Sequence, residues 1–292
     1  MTQSTLVMKL APAAQARLER ELEGGDFERR SVEHARFSVR GQGVIATLYR
    51  SGKLVVQGSE VELFRARYLA DEAAAPAPAA AGPIEVGTRT LIGSDEAGKG
   101  DYFGPLVVVA LRADAQERAE LMRSGVADSK TLSDDTIARL APALEQRYAF
   151  ASEVLMPVDY NVEHPRFGSL NPLLAELHAR CIRKLAQPGA MVLVDKFADD
   201  KLVASRLRGV DVELHQRTRA EREPVVAAAS VLARHLFVEG LRKLSDEFAI
   251  DLHKGAGAPT DASAREFVRL YGREKLVHVA KVHFKNTQKI RG

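Results

Sequence analysis

The chain has 292 residues, 46% hydrophobic and 28% charged, with a formal net charge of +3; this is the composition of a soluble globular protein with room for one large or two ordinary domains. No continuous apolar run reaches the roughly 18 residues of a membrane span, and the N-terminal stretch lacks the basic start and apolar core of a secretory signal, so a cytoplasmic protein is expected. A lone cysteine, Cys181, excludes an intrachain disulfide and reads as a small buried hydrophobe.

In chain order, residues 2–10 are expected to form a strand, and residues 12–23 an amphipathic helix stopped by Gly24-Gly25. Residues 37–40 read as a strand. Residues 43–58, GVIATLYRSGKLVVQG, read as a hairpin, with alternating apolar runs flanking Ser51-Gly52. Ser59 is placed to cap a helix over 60–69. These elements make a small α+β domain, residues 1–72. The Pro/Ala-rich stretch 73–87 has little to bury and reads as a linker. A second domain, residues 88–292, follows.

That domain opens with TLIGSDEAGKGDYFGPLVVVA, residues 90–110. Two apolar runs flank a loop carrying Gly98, Gly100 and Gly104, the pattern of strand, tight turn, strand. Further on, Ser133 is expected to cap a helix through Glu145. A strand is expected over 148–156, a helix from Leu170 to about Leu185, and a short apolar strand over 190–195 ending in Asp195. Another strand covers 210–216. Pro224 suits the first turn of a long helix, residues 253–255 form a loop, and residues 262–271 a further helix. Strands followed by alternating strands and helices point to an α/β fold, a mixed sheet with helices on both faces.

Adjacent carboxylates at the end of an apolar strand, Asp95 and Glu96, repel each other and pay for desolvation, so a compensating cation is expected. Asp195 ends another strand, and Glu221 stands just before the long helix with Glu223 two residues on. Acids at strand ends of an α/β sheet converge where ligands bind. Hard oxygen donors select Mg²⁺ or Mn²⁺, and two such ions suit phosphodiester hydrolysis. For Glu221 alone a cap or surface charge is the simpler reading. The glycine loop allows close backbone approach to a sugar-phosphate, where amides can meet a 2′-hydroxyl. Gly93 to Lys99 also fits most of a phosphate-binding GxxxxGK loop, but Gly100 supplies no hydroxyl and no helix starts there. The scattered histidines lack zinc-ligand spacing.

Charge distribution points the same way. Residues 273–292 hold six Lys or Arg against one Glu, and the first 70 residues eleven against eight acids. Such clusters suit a phosphate-backbone partner, with a solvated surface as the equal alternative.

Taken together and in order, DEAGKGDYFGP, ADSKTLS, LNPLLAELHARCI, VLVDKFA, RAE before VVAAASVLAR, HKGAG and HFKNTQK resemble bacterial ribonuclease HIII. The N-terminal hairpin SGKLVVQG resembles the TATA-box-binding-protein-like module that precedes the catalytic domain in that family. The resemblance implies a ribonuclease H-like fold and endonucleolytic cleavage of the RNA strand of RNA/DNA hybrids, leaving 5′-phosphate and 3′-hydroxyl ends. It implies two divalent ions, Mg²⁺ or Mn²⁺, held by Asp95, Glu96, Asp195 and Glu221. The spacing from RAE to AAAS is slightly shorter than in the family, which leaves Glu223 as a competitor for the fourth place. Gly98, Lys99 and Gly100 match the segment that contacts RNA, and Ser129 and Lys130 match a loop near the substrate phosphates. The expected partner is a hybrid duplex, with no membrane, no obligate protein partner and a monomeric state. Two rivals stand beside this reading. One is cleavage at single ribonucleotides embedded in DNA, as in ribonuclease HII, against which Lys99 and the Asp-Tyr-Phe insertion speak. The other is a non-catalytic nucleic-acid-binding protein.

Overall fold

The structure is a computed structural model that describes residues 4–23, 27–32, 34–70, 86–124, 126, 129, 132–197 and 200–290. The chain divides into two compact units, Met1–Ile84 and Glu85–Gly292. Most of the expected linker 73–87, the Gly24-Gly25 stop and Lys130 lie outside the described residues.

The first unit runs β1 (Ser4–Lys9), α1 (Pro12–Glu23), β2 (Glu28–Arg30), β3 (Ala35–Gly41), β4 (Val44–Tyr49), β5 (Lys53–Gly58) and α2 (Val61–Tyr68). Its sheet has the order β1-β5-β4-β3-β2, antiparallel throughout. The expected hairpin is β4–β5, with Gly52 at φ +82 making its turn. A second hairpin, β3–β4, turns on Gln42 and Gly43, both at positive φ (48 and 74), as a tight two-residue turn demands. Side chains alternate across the strands. Phe37, Val39, Ala46, Leu48, Leu54 and Val56 therefore share one face, which α1 and α2 cover with Leu18, Leu22, Val61 and Phe64. Ser59 does not cap α2. That helix begins one residue later than expected, Glu60 is its N-cap, and no side chain bonds the cap.

The second unit is built on a five-stranded sheet of order β10-β9-β6-β7-β8, with β6 at Leu91–Ala97, β7 at Leu106–Ala113, β8 at Ala149–Leu155, β9 at Ala190–Asp195 and β10 at Val212–Arg217. Strands β6, β9 and β10 pair in parallel, β7 runs antiparallel to its neighbours β6 and β8, and β8 thus shares the direction of β6. Its helices are α3 (Ala115–Ser124), α4 (Asp134–Arg147), α5 (Pro157–Phe167), α6 (Leu170–Leu185), α7 (Asp200–Arg206), α8 (Pro224–Phe248), α9 (Ala258–Tyr271) and α10 (Lys285–Lys289). Ser133 caps α4 as expected, its hydroxyl accepting from the Thr136 amide at 3.2 Å.

Helices cover both faces. One face of the sheet, with Ile92, Val108, Val192 and Val194, packs on α6 through Leu174, Leu177, Cys181 and Ile182. The other face receives α8, whose start, Val225 to Ala229, is fully buried. By length and composition α8 is apolar enough to cross a membrane, but 67% of its most apolar window is buried inside the protein. It is therefore the core helix of this unit, and its apolar character is spent on packing. Gly93 in β6 sets how closely α8 approaches. A Cβ there would lie 2.6 Å from the Val226 nitrogen and 2.7 Å from the Val225 carbonyl carbon. Only the bare backbone of glycine lets the helix start lie directly on the strand.

Candidate active site

The site grows from the register between β6 and β9. Ser94 pairs with Val194, so Asp95 and Asp195 follow side by side at the C-terminal ends of two neighbouring parallel strands. Alternation then fixes their faces. Ile92 on β6 and Val192 and Val194 on β9 face α6. Asp95 and Asp195 therefore share the opposite face with Gly93, toward the start of α8. Glu96 turns to the α6 side.

Asp95 is buried, and one of its carboxylate oxygens accepts from the Glu96 amide at 2.8 Å. Asp195 accepts from the Ala220 amide at 3.2 Å. That bond brings the short 3₁₀ turn Ala220–Arg222, and with it Glu221, beside the Asp195 strand end. Arg219, just before it, adopts a left-handed conformation at φ +62, a costly choice for a non-glycine residue that turns the chain back over the sheet. Glu223 is the N-cap of α8, and its carbonyl accepts from the Ala227 amide at 2.9 Å. Its backbone is thus spent on starting the helix, while Glu221 sits in the turn that Asp195 holds.

Glu96 has a different environment. Its side chain is 3% exposed and meets the Lys99 ammonium at 2.5 Å. From the α6 side the His178 Nε2 approaches the other oxygen at 3.3 Å. His178 is fully buried, stacked on Phe197 at 5.1 Å, with its Nδ1 2.8 Å from the Ser94 hydroxyl. That hydroxyl also lies 2.9 Å from the Val109 carbonyl. A carbonyl only accepts, so the single Ser94 proton goes there and Nδ1–H donates to Ser94. His178 thereby links the Ser94 hydroxyl on one side to the Glu96 carboxylate on the other. Burial works against the Glu96 charge, but the His178 hydrogen bond and the charges of His178 and Lys99 outweigh it and hold the carboxyl at about 2.

The glycine loop between β6 and β7 is shaped by two left-handed residues, Gly98 at φ +84 and Gly104 at φ +79. A Cβ on Gly98 would meet the Pro105 carbonyl oxygen at 2.1 Å, so packing alone requires glycine there. Gly100 is different: a Cβ would meet nothing within 4 Å. No internal contact asks for a glycine at the loop tip, where its effect is to leave the backbone bare to solvent. Lys99, next to it, is exposed. Ser129 is buried with its hydroxyl 2.7 Å from that of Ser230 on α8; it ties its loop to the core helix. In the loop before α9, Lys254 is ion-paired with Asp134 and Gly255 donates to the Asp101 carboxylate at 2.6 Å.

The donor set fits a divalent ion by its chemistry. All four acids are hard carboxylate donors at the ends of two adjacent strands or in the turn bound to one of them. The Lys99 ammonium on Glu96 stands where a cation is called for. Among the described residues no three acids or histidines are already drawn together around one point, and Glu96 is held toward the α6 side by His178. The sequence reading passed over His178. Its signal was a histidine among Leu174, Leu177, Cys181 and Ile182, the buried stripe of an apolar helix.

Residues 92–287 match the family model described as Ribonuclease HII, and residues 5–80 match Domain of unknown function (DUF3378). The chain is 40% identical over 293 residues to Ribonuclease HIII of Protochlamydia amoebophila, covering 99% of this chain and 96% of the relative. It is 37% identical to Ribonuclease HIII of Chlamydia pneumoniae, covering 97% of each. Among solved structures it is similar to Bst-RNase HIII in complex with Mn²⁺, with a TM-score of 0.66, 34% identity and 98% of each chain covered.

Proposed function

The chain belongs to the ribonuclease HIII family, and from that membership we propose how its residues divide the work. It is a metal-dependent endoribonuclease of the ribonuclease H type that cleaves the RNA strand of RNA/DNA hybrids. Asp95, Glu96, Asp195 and Glu221 would hold the metal. The observation that carries this assignment is the parallel register of Ser94 with Val194, which sets Asp95 and Asp195 together, with the Ala220–Arg222 turn bound to Asp195. Glu221 is preferred over Glu223 because it lies in that turn. The chemistry supplied there by two divalent ions, Mg²⁺ or Mn²⁺, is activation of a water and stabilisation of the leaving oxygen, leaving 5′-phosphate and 3′-hydroxyl ends.

The chain's own residues bind and orient the hybrid. Gly98 would shape the turn from its buried position, while Lys99 and Gly100 would present one cation and a bare backbone to the RNA strand, where amides can meet the 2′-hydroxyls that mark RNA. Ser129 anchors the loop that carries Lys130, and Lys130 would meet a substrate phosphate. Residues 1–72 form a substrate-binding domain, 73–87 a linker and 88–292 the catalytic domain. In the first unit, α1 and α2 cover one face of the sheet. By register the other face carries Lys9, Lys53, Arg40 and Arg30 against the single acid Glu28, with Thr5, Thr47 and Gln57 among them. Val7, Ile45 and Val55 lie on the same face, and its excess of basic side chains suits a phosphate backbone. We place the protein in the cytoplasm as a monomer.

The test is cleavage of two labelled duplexes with Mg²⁺, Mn²⁺ or EDTA, by the wild type and by Asp95→Asn. One duplex pairs a continuous RNA strand with DNA, and the other carries one ribonucleotide embedded in DNA. Metal-dependent cutting of the first alone, lost in Asp95→Asn with hybrid binding retained, is the expected result. Cutting of the second would transfer the assignment to embedded ribonucleotides. An active Asp95→Asn enzyme would remove Asp95 from the site.

A further inference from the structure

Lys281 belongs to none of the groups assigned above, yet it is the most deeply buried charged side chain described, with 0% exposure. Its Nζ donates to the carbonyls of Gly104 at 2.7 Å and Asp101 at 2.8 Å, and more weakly to that of Phe103 at 3.4 Å. Three carbonyls match the three donors of an ammonium. No salt bridge within 4.0 Å accompanies it among the described residues. Around this contact the backbone is stitched as well. The Lys281 amide donates to the Tyr102 carbonyl at 2.8 Å, the Gly104 amide to that of Val279 at 3.0 Å, and Phe103 and Ala280 form an antiparallel bridge. The Tyr102 amide donates to the Gly255 carbonyl at 2.9 Å. Residues 101–104 are thus clamped at the base of the glycine loop, and the exposed tip, Lys99 and Gly100, projects from that base with Gly98 buried behind it.

A packing role does not call for lysine. A methionine would fill the same space without burying an amine, and burying one is costly. Burial pushes the Lys281 ammonium down to about 7, with the Asp101 carboxylate pulling the other way. What lysine adds over an apolar side chain is the donors that hold the three carbonyls of the loop base.

We propose that Lys281 is a positioning residue for substrate recognition: by holding the carbonyls of Asp101, Phe103 and Gly104 it fixes the loop base from which Lys99 and Gly100 meet the RNA strand. This rests on the reading of that loop tip as the RNA contact. The C-terminal segment thereby becomes part of the substrate site at a distance, without touching substrate.

Steady-state kinetics on a continuous hybrid separates the possibilities, using the full-length chain and four variants. Lys281→Met removes the donors and keeps the volume; Lys281→Gln keeps two donors and serves if the methionine variant does not fold. Asn161→Ala loosens the same C-terminal segment elsewhere, since Asn161 bonds the carbonyls of Val277 and Ala280 and the amide of Val282. Gly100→Ala adds a methyl group in open space at the loop tip. Lys281→Met should raise the KM for hybrid about tenfold with kcat within about threefold of wild type, and Lys281→Gln should fall between the two. Asn161→Ala should lower the melting temperature and leave KM within about twofold. An unmoved KM in folded Lys281→Met or Lys281→Gln overturns the proposal while a raised KM in Gly100→Ala keeps the loop reading. Equal KM increases in Lys281→Met and Asn161→Ala reduce Lys281 to a structural residue. An unmoved KM in Gly100→Ala overturns the loop reading and the proposal with it.

Discussion

Replacing Gly93 by alanine tests whether the site is built by the approach of α8 to β6. The added Cβ would lie 2.6 Å from the Val226 nitrogen and 2.9 Å from the Val225 carbonyl oxygen, where ordinary contact begins at 3.4 Å. Strand and helix must therefore part by about 0.8 Å at this point. Both partners are backbone, so no side chain can rotate away. Overpacking of this kind costs about 2 kcal/mol, which for a unit the size of Glu85–Gly292 lowers the melting temperature by about 4–8 °C. The displacement falls on the start of α8, next to Glu221 and Glu223 and four residues before Ser230, which anchors Ser129. Misplacing a reacting group by about 1 Å costs on the order of a hundredfold in rate, so kcat should fall by at least about tenfold at a temperature where the variant remains folded. Thermal melting followed by circular dichroism and single-turnover cleavage are the two assays. A variant that melts lower but cleaves at the wild-type rate would refute the claim that this contact positions the acids, and unchanged melting would refute the clash itself.

Other outcomes follow from the same structure. The Glu96 carboxyl is lowered from 4.5 to about 2; a depressed carboxylate contributes stability above its unfolded value, and that stability is lost as pH falls from 4.5 through 2. The contribution is on the order of 3 kcal/mol, and urea unfolding at pH 3 and pH 6 should show a smaller difference in His178→Ala than in the wild type. Equal pH dependence in the two proteins would rule out His178 as the group that holds Glu96 ionised. Removing residues 1–80 should weaken hybrid binding about tenfold or more and flatten its salt dependence, with the single-turnover rate at saturation little changed; retained affinity would count against a gripping role for the first unit. Burial pushes the Cys181 thiol up to about 12, so it should resist a thiol reagent in the native enzyme and react at once in denaturant. Rapid native labelling would contradict its place under β7.

The elements that sequence made legible are those with strong local signals. Residues 12–23 and 224–248 have helical periodicity and a proline in the first turn, and residues 190–195 are a short apolar run closed by an acid. What was missed lacked such a signal. Strand β2, Glu28–Arg30, is three exposed charged residues, and only pairing with β3 makes it a strand. Helix α5 carries two prolines and buries only Pro157 and Tyr160, so its apolar face is too thin to read. Within the site, Asp95, Glu96 and the glycines were visible because they cluster in sequence, and Asp195 and Glu221 because one closes an apolar run and the other precedes a long helix. His178 and Lys281 were not, because each gains its meaning from a partner far along the chain: 82 residues separate His178 from Glu96, and 180 separate Lys281 from Asp101.

The Asp95–Glu96 doublet is arranged differently in the fold from what its adjacency in sequence suggests. Side by side in sequence, the two carboxylates seemed to need one cation between them. On a strand, however, consecutive side chains leave opposite faces of the sheet, and the repulsion is relieved by geometry before any ion is added. Each face then compensates in its own way. On the α6 face, Glu96 is met by two side chains, the His178 ring from the core and the Lys99 ammonium from the loop. On the α8 face, Asp95 and Asp195 accept from backbone amides, those of Glu96 and Ala220, beside the positive end of a 25-residue helix. Amide dipoles offset a carboxylate only in part, whereas Glu96 has the Lys99 ammonium and the His178 ring against it. The α8 side thus carries two neighbouring carboxylates, with the turn that contains Glu221 bound to one of them. Of the two faces, that one has the greater electrostatic demand for divalent ions.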